Sequence, residues 1–484
     1  MMLLSIIQSI SPIIMMFGLL MLTVPIIDAL YMVSINKWFL ILGLVYVLIG
    51  FVSTRLFIAR KKEVELTFLE ALISYSMVWL IIPILAAIPL CLDLSIPFVD
   101  AFFESISGFT GTGLTILRNL DNTSPGILLW RGLMQWTGEL GVVVFTAVFL
   151  PFFWRFGYIL YSIERPSRIS ASLRETARMI FYLYFLITAV GIILCIYLGV
   201  EPLDAVVHVM TAIATGGMSN YDVNYQRVFE YAPLSIYPIT ILMIIGGFNF
   251  ITLSYILNGE IRRSWEVEEF RVYLFLNILF TVVSLVVIMP IVNWSIEDGF
   301  KYGSFNVISA FTTTGFSIGN IGELGPVMKL LLILAMFVGC MSFSTGGGIK
   351  VVRLIVLMKK FKSYILRYLT GGGVEVDIKL GNTILDEREV SNVMFFIVLH
   401  FLFILIGAGL LKAFIPEIDF IDTLFEATSA ASNVGLTVGI TSSSIPNHAK
   451  MVLMILMYFG RLEYTGFIVL VGLTLYREYR IILS

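Results

Sequence analysis

Long apolar stretches recur along the chain, and short polar segments separate each of them from the next. About ten stretches are long enough to cross a bilayer, because a membrane helix needs about 20 mainly apolar residues. They lie near residues 9–33, 38–59, 67–91, 127–153, 179–200, 233–257, 272–293, 327–358, 391–415 and 449–475. This pattern predicts an all-α polytopic membrane protein.

The same polar interruption occurs four times between these stretches. The copies read TGTGLT (110–115), ATGGMS (214–219), TTTGFS (312–317) and SNVGLT (432–437). Each has a glycine in a shared register, with Thr or Ser two positions after it and six positions before it; these glycines are Gly113, Gly217, Gly315 and Gly435. A spacing of roughly a hundred residues is too long for a solenoid but suits a repeated membrane unit.

Each copy predicts a short helix that ends in a non-helical glycine segment between two membrane crossings. Asp100, Asp204 and Asp422 stand thirteen residues before the glycine, and Tyr302 takes that place in the third copy. Aspartate is a good helix cap and is favoured at the positive end of the helix dipole. We therefore expect these acids to cap the short helices rather than to act in catalysis.

Four re-entrant segments of this kind predict a pathway for a small cation. Non-helical backbone persists at membrane depth only where it lines a water-filled cavity or is buried in protein. A ring of backbone carbonyl oxygens can replace the hydration shell of a cation, and glycine reaches backbone angles closed to other residues. One glycine alone would more simply permit close helix packing, but four copies in register favour the pathway. The predicted filter residues are Thr110, Thr112, Gly113, Thr215, Gly216, Gly217, Thr313, Thr314, Gly315, Asn433, Val434 and Gly435.

Composition and charge agree with a membrane protein. Hydrophobic residues make up 58% of the 484 residues, charged residues 13%, and the mean hydropathy is +0.96. Lys and Arg concentrate in alternate loops, near residues 60–62, 155–178, 262–263, 359–367 and 477–480, which predicts cytoplasmic termini. No basic patch interleaved with aromatic residues indicates binding of nucleic acid.

Enzyme chemistry has little support in the sequence. The three cysteines fall in or beside apolar stretches without metal-ligand spacing, and the three histidines, His208, His400 and His448, do not form an HExxH pattern. We therefore expect no enzyme. A symporter coupled to Na⁺ or H⁺ is the alternative, because such transporters carry intramembrane acids as relays; the candidates are Glu139 and Glu463.

From about residue 67 onward the chain resembles the superfamily of Trk, Ktr and HKT cation transporters. The four glycine segments, RGLMQWTGELG (131–141) and GRLEYTG (460–466) carry the resemblance, and with the extra amino-terminal crossings they look most like its TrkH members, the membrane subunits of bacterial Trk potassium uptake systems. That family often has Gly and Met where Glu139 and Leu140 stand. The resemblance implies four membrane–pore–membrane repeats in pseudo-fourfold arrangement around one pore, plus two extra N-terminal transmembrane helices.

The expected division follows from this arrangement. It places two helices at 1–63, repeat 1 at 64–158 (pore loop 98–117), repeat 2 at 176–259 (pore loop 202–221), repeat 3 at 270–368 (pore loop 301–320), a cytoplasmic connector at 369–388, and repeat 4 at 389–484 (pore loop 419–440). Glycine at all four filter positions goes with potassium in this family, so the resemblance implies K⁺ uptake, with Rb⁺ also permeant.

The stretch MSFSTGGGIK (341–350) interrupts the second crossing of repeat 3. Three consecutive glycines destabilise a helix by about 1 kcal/mol each relative to alanine. The family has an intramembrane gating loop here, which implies that Ser344, Thr345, Gly346, Gly347 and Gly348 act in gating; a plain helix kink is the alternative. Arg461, deep in the last crossing, would either tune cation passage below the filter or brace pore-helix carbonyls.

The resemblance also implies partners. A cytosolic TrkA-type subunit would bind the regulatory nucleotide, such as NAD, ATP or ADP, and no cofactor is expected in this chain, which has no GxGxxG after a strand. The family pairs as homodimers. The expected location is the prokaryotic cytoplasmic (inner) membrane.

Overall fold

The computed structural model of the chain describes residues 2–59, 68–141, 173–288, 295, 299–371, 377–381, 383–464 and 467–468. Its α-helices are α1 (Met2–Met21), α2 (Thr23–Leu30), α3 (Lys37–Ala59), α4 (Phe68–Leu94), α5 (Phe98–Phe109), α6 (Pro125–Leu140), α7 (Leu173–Tyr197), α8 (Pro202–Ile213), α9 (Gln226–Tyr231), α10 (Ile236–Gly246), α11 (Phe250–Leu257), α12 (Ile261–Glu266), α13 (Glu268–Val283), α14 (Phe305–Phe311), α15 (Pro326–Val338), α16 (Val351–Leu369), α17 (Glu387–Phe414), α18 (Phe420–Ala431) and α19 (Asn447–Arg461). Two π-helical turns lie at Ser284–Ile288 and Gly299–Ser304. Strands β1 (Lys379–Leu380) and β2 (Thr383–Ile384) pair antiparallel.

The prediction of an all-α membrane protein is confirmed, since most of the described residues are helical and the one sheet among them has two short strands. Six helical spans within them are long and apolar enough to cross a membrane: Ile10–Leu30, Lys37–Leu56, Leu72–Leu94, Glu175–Tyr197, Glu268–Val286 and Glu387–Phe414. Three shorter apolar helices lie at Pro202–Ile213, Pro233–Gly246 and Pro326–Val338. Parts of the predicted stretches 127–153, 272–293 and 449–475 lie outside the described residues.

The four short helices α5, α8, α14 and α18 are arranged in a ring. Each packs against the helix that follows it in its own repeat, α6, α10, α15 or α19 respectively. Each also packs against the corresponding helix of the preceding repeat: α8 on α6, α14 on α10, α18 on α15, and α5 on α19. The last contact joins the fourth repeat to the first, so the glycine segments at the ends of the short helices are brought together.

The predicted crossing at 233–257 is not one continuous helix, because α10 ends at Gly246 and α11 begins at Phe250. Consecutive glycines at 246 and 247 weaken the helix, and the Asn249 side chain caps the new helix by accepting a 2.8 Å hydrogen bond from the Ile251 N–H. The interruption frees carbonyl groups at the end of α10. The Gly247 carbonyl accepts from the Met341 N–H at 3.1 Å, so the predicted gating loop uses one of them.

The predicted aspartate caps are also wrong. The residues at the cap positions of α5, α8 and α18 are Pro97, Glu201 and Asp419, and none makes a side-chain cap hydrogen bond. The three aspartates lie inside the first turn, where a negative charge still suits the helix dipole. Their carboxylates instead contact groups elsewhere: Asp100 binds Lys450, Asp422 binds Lys329, and Asp204 accepts from Asn220, Tyr221 and Tyr231.

Candidate ion-conduction site

All four short helices end in the same hydrogen-bonded turn. The N–H of the residue before each filter glycine donates to the carbonyl of the Ser or Thr six positions before that glycine: Thr112 to Ser107 at 3.0 Å, Gly216 to Thr211 at 2.8 Å, Thr314 to Ser309 at 2.8 Å, and Val434 to Ser429 at 2.8 Å. This is the six-to-one bond of a Schellman motif, which needs a left-handed residue just before its donor. That residue is Gly111, Thr215, Thr313 or Asn433, with φ of +70°, +50°, +51° and +52°.

The structure corrects the register of one predicted filter residue. Thr110 lies one position earlier than Thr215, Thr313 and Asn433, in right-handed conformation, and Gly111 takes the equivalent place in repeat 1. A β-branched residue in left-handed conformation is strained, so Thr215 and Thr313 are held there by their surroundings. Both hydroxyl groups contact the loop at 341–350, as described below.

The four predicted filter glycines form a closed ring. Their φ angles are +84° at Gly113, +69° at Gly217, +89° at Gly315 and +95° at Gly435, in the region that favours glycine. A Cβ atom on each would overlap the carbonyl oxygen of the residue that precedes the next repeat's glycine: Gly113 on Gly216, Gly217 on Thr314, Gly315 on Val434, and Gly435 on Thr112. A side chain at any of these glycines would be strained by its backbone conformation and would displace the carbonyl of the next segment, so backbone carbonyl groups lie at each contact between successive segments.

A second ring of buried polar residues, which the sequence reasoning missed, lies behind the filter. Nine positions before each glycine stand Glu104, His208, Asn306 and Glu426, all at most 1% exposed. Each bonds to the chain just after its own glycine: Glu104 to the Thr115 hydroxyl, His208 to the Ser219 hydroxyl, Asn306 to the Ile318 backbone, and Glu426 to the Thr437 hydroxyl and the Val438 N–H. Polar residues in the same register of four apolar helices are the signal that could have revealed it.

Two side chains of α6 connect the first filter segment to the second. Arg131 is paired with Glu104 at 2.8 Å, both almost fully buried, and donates to the Ser219 carbonyl of repeat 2. Gln135 donates to the Gly216 carbonyl at 2.6 Å and accepts from the Met218 N–H at 2.9 Å. The second segment is therefore fixed on both sides of its glycine by repeat 1.

A cavity of about 350 Å³ opens outside the ring of glycines. Its lining includes the hydroxyl residues that follow the filter in all four repeats, Thr115, Ser219, Ser317 and Thr437. At its edge, Asp204 accepts hydrogen bonds from Tyr221 at 2.6 Å and Tyr231 at 2.5 Å. Burial raises the pKa of both phenols, so they remain donors at neutral pH.

The loop at 341–350 lies against the opposite side of the filter. Thr345 reaches repeat 2, where its hydroxyl donates to the carbonyls of Gly246 at 2.8 Å and Ile213 at 3.1 Å and lies 3.2 Å from the Thr215 hydroxyl. Ile213 and Thr215 lie where α8 ends and the second filter segment begins, so the loop covers the start of that segment.

Two glycines of the loop contact the segments that follow the short helices of repeats 3 and 4. The Gly347 N–H donates to the Thr313 hydroxyl at 2.8 Å, and the Gly348 N–H donates to the Ser432 carbonyl at 3.1 Å. A Cβ on Gly347 would overlap that same Ser432 carbonyl. Close backbone approach to the base of the third and fourth segments is the physical reason for glycine here.

Bonds within the loop and at its ends hold its shape. The Ser344 hydroxyl donates to the Met341 carbonyl at 2.6 Å, and Lys350 Nζ donates to the Gly346 carbonyl at 2.6 Å. At the two ends, Glu269 of α13 accepts from the Ser342 N–H at 2.6 Å and the Val352 N–H at 3.0 Å. One buried carboxylate therefore joins both ends of the loop.

Arg461 lies at the base of the remaining segment, that of repeat 1. It pairs with Glu139, donates to the Gly138 carbonyl at 2.7 Å, and stacks on the Trp79 ring at 4.6 Å. Glu463, two residues on, pairs instead with Arg353. The Gly138 carbonyl belongs to α6 and not to one of the four short helices, so both roles expected for Arg461 remain predictions.

Comparison with known proteins gives the family. The family model TrkH, described as a cation transport protein, matches residues 39–475. An uncharacterised cation transporter of Methanocaldococcus jannaschii is 30% identical over 97% of this chain and 95% of its own length. The Trk system potassium uptake protein TrkH of Escherichia coli (strain K12) is 30% identical over 87% of this chain and 88% of its own.

A solved structure agrees. The crystal structure of the potassium transporter TrkH from Vibrio parahaemolyticus superposes with a TM-score of 0.84 at 26% identity, covering 97% of this chain and 99% of that one. The extent of the family match and the shared fold identify a transporter and not an enzyme. The chain belongs to the TrkH family of cation transport proteins, a family of multi-pass membrane transporters.

Proposed function

We propose that this protein takes up K⁺ across the cytoplasmic membrane of a prokaryote through a pore whose filter is the ring of Gly113, Gly217, Gly315 and Gly435. The observation that carries the proposal is the closed order of the four segments, in which each glycine abuts the carbonyl of the next. Backbone carbonyls replace the hydration shell of K⁺ in such filters, and Rb⁺ passes as well. The names of the TrkH relatives as potassium uptake proteins support the choice of ion.

Rubidium uptake into proteoliposomes holding the purified protein tests this function. Uptake that excess K⁺ blocks and excess Na⁺ leaves unchanged is the expected result for wild type, and Gly113→Ser should make uptake sensitive to Na⁺. Gly199→Ser is the matched control, because Gly199 has a similar φ of +94° but no atoms within 4 Å of an added Cβ. Equal Na⁺ sensitivity in the two variants would count against the ring as the site of selection.

The loop at 341–350 is the proposed gate, and its contacts with the base of repeats 2, 3 and 4 support this role. An Na⁺- or H⁺-coupled symporter is the alternative. Its candidate relay acids, Glu139 and Glu463, are engaged in ion pairs with Arg461 and Arg353, which disfavours free proton exchange. Uptake that depends on an imposed Na⁺ or H⁺ gradient would favour the symporter.

Regulation is proposed to come from a cytosolic TrkA-type subunit that binds NAD, ATP or ADP, with no cofactor in this chain. The resemblance to the Trk systems supports this partner, as it supports a homodimer and cytoplasmic termini. Binding of purified partner to the detergent-solubilised protein, with and without each nucleotide, would test it.

A further inference from the structure

Repeat 1 differs from the other repeats at the left-handed position two residues before the filter glycine. Thr215, Thr313 and Asn433 carry a side chain at the left-handed position that precedes the filter, whereas repeat 1 has Gly111. A carboxylate oxygen of Glu139, from the end of α6, occupies the place that a Cβ on Gly111 would take. Glu139 is 2% exposed, so this carboxylate is enclosed.

The same carboxylate also pairs with Arg461, the cationic side chain at the end of α19. Its second oxygen accepts from Arg461, which also donates to the neighbouring Gly138 carbonyl and stacks on Trp79 of α4. The guanidinium is thereby held against α4 and α6. A buried charge without its counter-charge is costly and exerts a long-ranged field in a medium of low dielectric constant.

We propose that Glu139 is a positioning residue for transport, which neutralises Arg461 and keeps its charge from opposing K⁺ just below the filter. The inference rests on the proposed function. It also gives a physical reason for glycine at 111, because any side chain there would displace the carboxylate.

The test is the maximal rate and half-saturation of Rb⁺ uptake in proteoliposomes for Glu139→Gln, Arg461→Gln and the double variant. We expect the maximal rate of Glu139→Gln to fall by roughly tenfold, because the Arg461 guanidinium loses its hydrogen-bonded counter-charge near the pathway. The double variant, which lacks that charge, should recover most of the rate. Glu230→Gln is the control, since it strips the counter-charge from the exposed Arg227 and should leave the rate within about twofold.

A double variant as slow as Glu139→Gln, or a Glu139→Gln rate equal to wild type, would overturn the inference, since a purely structural brace predicts no recovery when its second half is removed. Thermal unfolding in detergent identifies a folding defect in Glu139→Gln, and recovery in the double variant still decides the question. Wild-type protein that carries no Rb⁺ would remove the proposed function, and this inference with it.

Discussion

Lys450 Nζ in α19 lies 2.6 Å from Asp100 Oδ1 in α5, and this buried ion pair joins the fourth repeat to the first. Lys329 of α15 and Asp422 of α18 form the same contact, at 2.6 Å, between the third repeat and the fourth. In both pairs the lysine follows the filter of one repeat and the aspartate precedes the filter of the next. Each pair therefore ties the helix that follows one short helix to the first turn of the next short helix in the ring.

Lys450→Met should destabilise the protein by about 3–5 kcal/mol, because it leaves the Asp100 carboxylate buried without its partner. The midpoint of thermal unfolding in detergent would report the loss. Arg262→Met is the control: the Arg262–Glu266 pair is exposed, at 95% and 67%, and such pairs contribute little. An equal midpoint for Lys450→Met and wild type would show that the pair does not hold the ring closed.

Gly347→Ala should raise Rb⁺ uptake in the absence of any cytosolic partner. The added methyl group would overlap the Ser432 carbonyl, so the loop could not stay seated against the fourth filter segment. Gly409→Ala in α17 is the control, because an added Cβ there has no atom within 4 Å and alanine suits a helix interior. Reduced uptake in Gly347→Ala alone would contradict an obstructing role for the loop.

Glu269→Gln should also favour the open pathway. Hydrogen bonds to a charged group contribute about 1.5–3 kcal/mol, so weakening those to Ser342 and Val352 would shift the balance between seated and released loop by about tenfold or more. Partner-free Rb⁺ uptake would measure the shift. The adjacent Glu268, which pairs with Lys359 at 2.6 Å and is partly exposed, provides the matched control as Glu268→Gln. Equal uptake in the two variants would mean that Glu269 does not restrain the loop.

Sequence alone indicated the features that depend on residue type in a repeating register. The glycines, the hydroxyl residues beside them and the interruption at 341–350 could be located because each departs from an apolar background. Partners across the chain could not be located in this way. The aspartates were expected to cap their own helices, but two of them bind lysines of a neighbouring repeat, and no local pattern encodes that pairing.

The break after Gly246 and the ring behind the filter show two further limits. The apolar run at 233–257 continues through Gly247, so its periodicity does not reveal the end of α10; the carbonyls that the break frees bond to a loop about a hundred residues later in the chain, beyond the reach of local patterns. The ring contains Glu104, His208, Asn306 and Glu426, which share a position and bond to the chain after their own glycine but are of three residue types, so a search for one recurring residue does not find them.

Glu104 and Glu426 occupy equivalent places in the polar ring behind the predicted filter. Their Gln variants should separate the effect of this ring on ion selectivity from its effect on stability. Both carboxylates bind a threonine that follows a filter glycine, Thr115 or Thr437, so Glu104→Gln and Glu426→Gln should each loosen the outer end of a filter segment. The preference for Rb⁺ over Na⁺ in uptake competition should fall in both.

Glu104 in addition neutralises buried Arg131 at 2.8 Å. Glu104→Gln should therefore lose about 3–5 kcal/mol of stability, because the buried guanidinium is left without its counter-charge. Glu426 accepts from the Thr437 hydroxyl and the Val438 N–H with one oxygen and from the Thr441 hydroxyl with the other; a glutamine oxygen can still accept the first two, and its NH2 group can donate to the Thr441 hydroxyl. A Glu426→Gln protein as unstable as Glu104→Gln would show that the ring acts through carboxylate charge in both repeats, whereas unchanged selectivity in both would show that it does not shape the filter.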